Sequence, residues 1–241
     1  MLAVARPLWG FPVNPKAMED ARTALDKLGI TGRSKRRDRR PTLDELDRLM
    51  THFGGASMRR GSANMQAVIA VAVYSPRRQD EICRLKWTDL DEEGSLITVR
   101  DMKNPDGAAG NDVQCELTPE ALAIIRAQPR VSDRIFPYSA DTVCAAFTRA
   151  CAILGISDLR FHDLRHEGIS RLFEMGRNIP QVACVSGHRS WSSLQRYAHI
   201  RQSGDKFAAW PWLDALTGPA PAQPPQSAGP EIPQGEPVPR L

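Results

Sequence analysis

The chain has 241 residues, of which 41% are hydrophobic and 25% are charged, and this predicts one globular domain of about 150–200 residues with appendages. No apolar run is long enough to cross a bilayer and no signal peptide is recognisable, so we predict a cytoplasmic protein without membrane contact. The net charge of +4 permits a nucleic-acid partner without requiring one, and five cysteines without a Cys-x-x-Cys pair predict free thiols.

The N-terminal 40 residues contain little that can fold alone. Residues 1–31 carry one short helical pattern, which starts at Asn14-Pro15 and ends at Gly29, and we interpret them as the remnant of a longer N-terminal region. Residues 32–40 form a basic linker, for which a solvated connection is the simplest explanation. Our prediction is that its cations follow a DNA duplex: Arg33, Lys35, Arg36, Arg37, Arg39 and Arg40.

Residues 41–216 are predicted to form a mainly α domain with a small antiparallel β-hairpin, an α+β fold. Strand patterns at 96–100 and 112–117 flank a turn-rich segment, with Lys103 near its tip. Helical patterns occupy the rest, and the last three cover about 163–175, 179–186 and 190–198. Residues 217–241 are rich in proline and poor in large apolar groups, which predicts a disordered tail.

The stretch from 161 to 201 points most directly to a chemistry. It combines His162, Arg165, His188 and Tyr197, and a phenol beside such groups can attack a phosphodiester. The acids nearby are scattered, so we expect no metal and no other cofactor, and arginine must then neutralise the phosphate. Arg165 and Arg78 are the candidates because guanidinium groups bind two phosphate oxygens at once.

The remaining steps require a proton donor and an activated phenol. Lys103 on the hairpin could protonate the departing oxygen, and His188 could hydrogen-bond a phosphate oxygen. His162 and the charges of the arginines could together activate Tyr197. Taken singly, each residue has a structural explanation, such as a packing tyrosine or a solvated lysine. His162 and His166 are spaced like zinc ligands, although the charge of Arg165 opposes a metal there.

In their order and spacing, these residues resemble the tyrosine recombinase (phage integrase) family, whose pattern is Arg…Lys…His-x-x-Arg…His/Trp…Tyr. Arg78 takes the first position because it precedes Glu81 by three residues in a helix that leads to Leu85-Lys-Trp-Thr-Asp89. Lys103, His162-Asp-Leu-Arg165, Gly187-His188 and Tyr197 follow. The resemblance covers about residues 41–210, and a glutamate like Glu167 occurs in the shufflon-type branch of the family. It implies that residues 1–31 are the remnant of an N-terminal core-binding region.

The resemblance implies a site-specific recombinase that breaks and rejoins double-stranded DNA through a 3′-phosphotyrosyl intermediate, without metal or ATP. It implies a homotetramer on DNA, in which the segment after Tyr197 docks on a neighbouring protomer. The apolar residues suited to that contact are Phe207, Trp210, Trp212, Leu213 and Leu216. Two alternatives stay open: a type IB topoisomerase, against which His162 argues, and a DNA-binding remnant that no longer cuts.

Overall fold

The computed structural model describes residues 14–30, 37–56, 63–102 and 110–218. Lys103, three of the predicted linker cations (Arg33, Lys35, Arg36) and residues 219–241 of the predicted tail lie outside these ranges. The chain divides into two compact units, Met1–Asp38 and Arg39–Leu241. Within the described ranges, no helix has the length and apolar character needed to span a bilayer.

The first unit contains the predicted N-terminal helix, α1 (Pro15–Lys27). Asn14 caps it, since its side-chain oxygen accepts hydrogen bonds from the backbone N–H groups of Lys16 and Ala17. No residue of α1 is buried. The helix therefore forms where the sequence predicts it, without a core of its own.

The second unit is mainly helical with one small antiparallel sheet, as predicted. The strands pair in the order β1-β2-β3, and the two-residue β1 is an addition that no sequence pattern marked. The strands are β1 (Leu90–Asp91), β2 (Leu96–Val99) and β3 (Val113–Glu116). The helices are α2 (Leu43–Ala56), α3 (Met65–Tyr74), α4 (Gln79–Arg84), α5 (Pro119–Arg126), α6 (Ala140–Ile153), α7 (Phe161–Glu174), α8 (Ile179–Ser186) and α9 (Trp212–Thr217).

Helix α3 forms the centre of the core, since every residue from Ala67 to Tyr74 is buried. A helix that is apolar on all sides can only be stable inside the protein. Helix α7 crosses α3 closely at Gly168, where a Cβ would lie 2.3 Å from the carbonyl oxygen of Val73. Only glycine fits at this crossing, which brings the middle of α7 beside the chain that leaves α3.

The prediction of a helix over residues 190–198 is wrong. Two short 3₁₀ turns replace it, Trp191–Ser193 and Gln195–Tyr197. The backbone N–H groups of Leu194 and Tyr197 bond the carbonyl oxygens three residues back, each at 2.9 Å, as in a 3₁₀ turn. Tyr197 is therefore held by a tight turn rather than by a regular helix.

The segment after Tyr197 packs against its own domain. Phe207 and Trp210 are buried in the main core. The indole N–H groups of Trp210 and Trp212 both donate to Asp47 Oδ1 on α2, at 2.8 and 2.9 Å. The apolar residues that the sequence assigned to a neighbouring protomer thus have partners within this chain.

Candidate active site

Arg165 lies at the centre of the site, on the first half of α7. Its side chain is 4% exposed, and it donates to the carbonyl oxygen of Pro76 at 2.7 Å and to that of Ser186 at 3.3 Å. These carbonyls belong to the loop before α4 and to the end of α8. Burial lowers the pKa of Arg165 to about 10, and the nearby Glu81 opposes that shift.

Glu81 connects Arg165 to Arg78, the first residue of the predicted pattern. One carboxylate oxygen lies 3.6 Å from Arg165 Nη1, and the other accepts a 2.7 Å hydrogen bond from Arg78 Nη1. The same carboxylate accepts the backbone N–H of Arg78 at 2.9 Å and so caps α4. Burial opposes ionisation, but Arg165 and then Arg78 hold the pKa of Glu81 below its usual value. One buried anion shared by two cations leaves the site positive.

Arg77 and Arg78 separate in the structure despite being adjacent in sequence. Arg77 is buried, and its guanidinium donates to Ser75 Oγ and to the carbonyl oxygen of Val185 in the last turn of α8. Arg78 keeps about a third of its side chain exposed. Arg78 is therefore the more accessible of the two guanidinium groups.

His188 follows the end of α8, where Gly187 adopts a left-handed conformation with φ of 70°. The Ser186 hydroxyl donates to the carbonyl oxygen of Val182, so its oxygen accepts from His188 Nδ1 at 2.7 Å. Arg165 Nη2 lies 3.2 Å from the other ring nitrogen. Burial, followed by the charges of Arg165 and Arg78, lowers the pKa of His188 to about 3, so its imidazole is neutral at pH 7.

Tyr197 is 7% exposed, and its hydroxyl hydrogen-bonds His166 Nδ1. Its ring stacks on Phe173 with centroids 6.0 Å apart and an angle of 12° between the rings. His166 is one residue beyond Arg165 on α7 and was not predicted as a site residue. The signal was present in its i, i+4 spacing from His162, which places both imidazoles on one face of α7.

His162 lies at the exposed start of α7, and its ring meets that of His166 edge-on at 5.1 Å. Partial burial, followed by the charges of Arg165 and Arg78, lowers its pKa. From the sequence we expected His162 to activate Tyr197, whereas in the structure it is His166 that hydrogen-bonds the phenol. Lys103 lies outside the described residues, so its predicted role stays a prediction.

The predicted linker cations that the structure describes are Arg37, Arg39 and Arg40. Arg39 pairs with Glu45, and Arg40 pairs with Glu167 at 2.8 Å and with Glu174 at 2.7 Å. Lys206 also reaches Glu167, at 2.6 Å. The end of the basic segment is thus anchored to α2 and to α7, and its role in DNA binding stays a prediction.

The zinc arrangement considered from the sequence finds no support in the geometry. Within the described ranges, no group of three or more His, Cys, Asp or Glu side chains is placed to hold a metal ion. The cysteines are free, and Cys184 is exposed. The chemistry available at this site is that of arginine, imidazole and phenol groups.

Comparison with known proteins identifies the family of the chain. Residues 39–203 match the sequence model described as "Phage integrase family". The chain is 35% identical over 170 residues to the shufflon-specific DNA recombinase of Escherichia coli, an alignment that covers 70% of this chain and 42% of that protein. It is 27% identical over 149 residues to the tyrosine recombinase XerC of Corynebacterium glutamicum, which covers 56% of this chain and 46% of XerC. The chain thus spans two fifths to half of these relatives.

Solved structures share the fold. A lambda integrase dimer bound to a COC′ core site superposes with a TM-score of 0.53 and 20% identity, over 77% of this chain and 55% of that one. The XerA recombinase superposes with a TM-score of 0.50 and 19% identity, over 79% and 80% of the two chains. At this level of identity the likeness establishes a common architecture.

Proposed function

The chain belongs to the phage integrase family, and from this we propose that it is a site-specific DNA recombinase that cuts and rejoins strands through Tyr197. The observation that carries the proposal is the pair of arginines, Arg165 and Arg78, held on one buried carboxylate. Preorganised cations of this kind stabilise the charge that develops on phosphate in the transition state.

The reaction we propose needs neither metal nor ATP. The phenolate oxygen of Tyr197 attacks phosphorus, the bond to the 5′-oxygen breaks, and a 3′-phosphotyrosyl link forms. The free 5′-hydroxyl of a partner strand then attacks that link and restores the tyrosine. Arg165 and Arg78 neutralise the two non-bridging oxygens. His188 supports one of them once the negative charge of the phosphate favours a proton on Nε2.

Lys103 is proposed to protonate the departing 5′-oxygen. Support comes from its neighbour Met102, which is buried and whose methyl group would lie 2.8 Å from a Cβ at Gly187. Asn111 bonds the backbone of Met102 and also accepts from Arg189 at 2.8 Å. The base of the hairpin is therefore anchored beside the loop that carries His188.

The partners we propose are double-stranded DNA and three further copies of the chain, in a cytoplasm whose reducing conditions suit free thiols. Exchange of the segment after Tyr197 between protomers is part of this proposal. In this structure the segment packs against its own domain, so exchange requires the hydrogen bonds of Trp210 and Trp212 with Asp47 to be broken. Arg33, Lys35, Arg36 and Arg37 are proposed to contact the DNA backbone, whereas Arg39 and Arg40 are paired with carboxylates and are proposed to hold the segment in place.

The test is a pool of nicked duplexes with a randomised core, incubated with the full chain. Release of the short strand beyond the nick prevents religation, so a recombinase accumulates as a covalent adduct on denaturing gels. Wild type is expected to form an adduct that protease digests to a DNA-linked peptide containing Tyr197. Tyr197→Phe is expected to form none. Equal adduct levels for both proteins would contradict the proposal.

A further inference from the structure

His166 occupies the place next to the nucleophile that the sequence left to His162. Its Nδ1 contacts the Tyr197 hydroxyl, and the two rings lie 6.1 Å apart at an angle of 35°. His166 is partly buried, whereas His162 is exposed and touches His166 through its ring edge. The two imidazoles therefore have different positions relative to the reacting oxygen.

The phenol is held in this arrangement by its surroundings. Phe173 stacks on the Tyr197 ring, Leu194 is buried beside it, and the Arg196 guanidinium lies 5.4 Å from the ring centroid. Because His166 and Phe173 both belong to α7, the helix fixes the ring and the partner of its hydroxyl together. The contact is thus part of a packed cluster rather than a meeting of two flexible surface side chains.

We propose that His166 is the general base that takes the proton of Tyr197, an assignment that rests on the proposed strand transfer. As the Oη–H bond breaks, the proton moves to His166 Nδ1 and Oη forms its bond to phosphorus. The P–O5′ bond breaks, and the departing oxygen takes its proton from the general acid. In religation the same proton returns from Nδ1 to Oη, so His166 ends as it began.

This role requires a neutral His166 with its proton on Nε2, so that Nδ1 can accept. Burial and then His162 lower the pKa of His166 to about 4, so the ring is neutral at pH 7. The groups that face it are His162, Asp163 and Arg165 from α7 and Arg196 from the tyrosine turn. A bound phosphate offsets the cations among them, which makes Nδ1 more basic when substrate is present.

Two amide variants separate proton transfer from positioning. His166→Asn puts an oxygen near the place of Nδ1, where it can accept the phenol hydrogen bond but cannot take the proton. His166→Gln puts its amide near the place of Nε2. We expect both variants to cut the duplex that wild type selects from the nicked pool about 10²–10⁴ times more slowly than wild type at pH 7.5. His52→Asn, on the distant helix α2, is the control and should cut at the wild-type rate.

The pH profile distinguishes a base from a merely structural residue. Without a base, Tyr197 must lose its proton to solvent before it attacks phosphorus. Because phenols are still largely protonated between pH 7 and 9, the rate of His166→Asn should rise about tenfold per pH unit over that range. The wild-type rate should change far less over that range. A His166→Asn variant with the wild-type rate and profile would overturn the inference while leaving the strand transfer intact.

A second measurement does not depend on activity. In ¹⁵N-histidine NMR spectra of the full chain without DNA, His166 should show a protonated Nε2 and an Nδ1 shifted by the hydrogen bond it accepts, which Tyr197→Phe removes. A proton on Nδ1 would contradict the assignment of His166 as the base, whether or not the wild-type chain forms an adduct. Failure of the wild-type chain to form an adduct would instead count against the proposed function.

Discussion

Helix α7 buries two arginines six positions apart, and they differ in how their charge is met. Arg171 is fully buried between Asp205 and Glu120, both at 2.6 Å, and it lies over the ring of Tyr74. Arg165 is almost as deeply buried, but its close partners are two carbonyls, and its nearest carboxylate is 3.6 Å away and shared with Arg78.

The electrostatics follow this difference. Although burial opposes it, the hydrogen bond to Asp205 and the charge of Glu120 raise the pKa of Arg171, whereas burial lowers that of Arg165. A cation that carboxylates surround is already neutralised and serves the fold. A cation that carbonyls hold keeps its charge for a ligand. Burial alone does not distinguish an anchor from a phosphate-binding group, but charge balance does.

The same substitution at the two positions should therefore have opposite consequences. Arg171→Met leaves the partly buried carboxylates of Asp205 and Glu120 without their cation. Removing one partner of a fully buried pair costs about 3–5 kcal/mol, and the lower end of that range applies to partly exposed carboxylates. We expect a loss of that order in the free energy of unfolding, measured by urea titration. The fraction that remains folded should form the covalent adduct at the wild-type rate. A stability near that of wild type would show that the network contributes little.

Arg165→Met should affect the reaction far more than the fold. Glu81 keeps Arg78 as its partner, and the variant also removes a desolvated cation, so we expect a stability change within about 1–2 kcal/mol. The rate of adduct formation should fall about 10²–10³-fold, the effect of removing one preorganised donor. Arg165→Lys should recover little of it, because an ammonium group cannot reach both carbonyls. A large loss of stability with activity retained would reverse the comparison.

The positive charge around Arg165 should make the free energy of unfolding depend on pH through His188. The pKa of His188 is lowered in the folded state. Below about pH 6.5, His188 therefore binds a proton in the unfolded chain but stays neutral in the folded chain. Stability should then decrease as the pH falls from 7.5 to 5. His188→Asn cannot titrate, and its loss of stability over this range should be smaller by about 1–2 kcal/mol. Parallel losses in both proteins would place the acid sensitivity elsewhere.

Local patterns predicted most of the fold. The bounds 179–186 of α8 agree with the prediction, and Asn178 caps that helix as its residue type suggests. The two hairpin strands were also predicted, since alternating and turn residues act through neighbours in sequence. The prediction of a helix over 190–198 was wrong because the tertiary packing of Leu194 and Tyr197 outweighs a weak helical periodicity.

For the candidate site, the sequence by itself determined the residue types and their order. It also determined that His162 and His166 share a face of α7, because helical spacing sets this without reference to the rest of the chain. Which of the two imidazoles meets the phenol was decided only by the tertiary structure. Tyr197 lies 31 residues beyond His166, and the stacking on Phe173 selects its position.

The same division applies to the charges. The arginines at 77, 78, 165 and 171 are alike as residue types, and in the sequence only their spacing within the family pattern singles out Arg78 and Arg165. Whether an arginine serves the fold or could serve DNA depends on which carbonyls and carboxylates approach each guanidinium from distant parts of the chain. Such approaches follow from the packing of α3, α7 and α8, because only a folded core brings these groups within hydrogen-bonding distance and removes the water that would otherwise screen them.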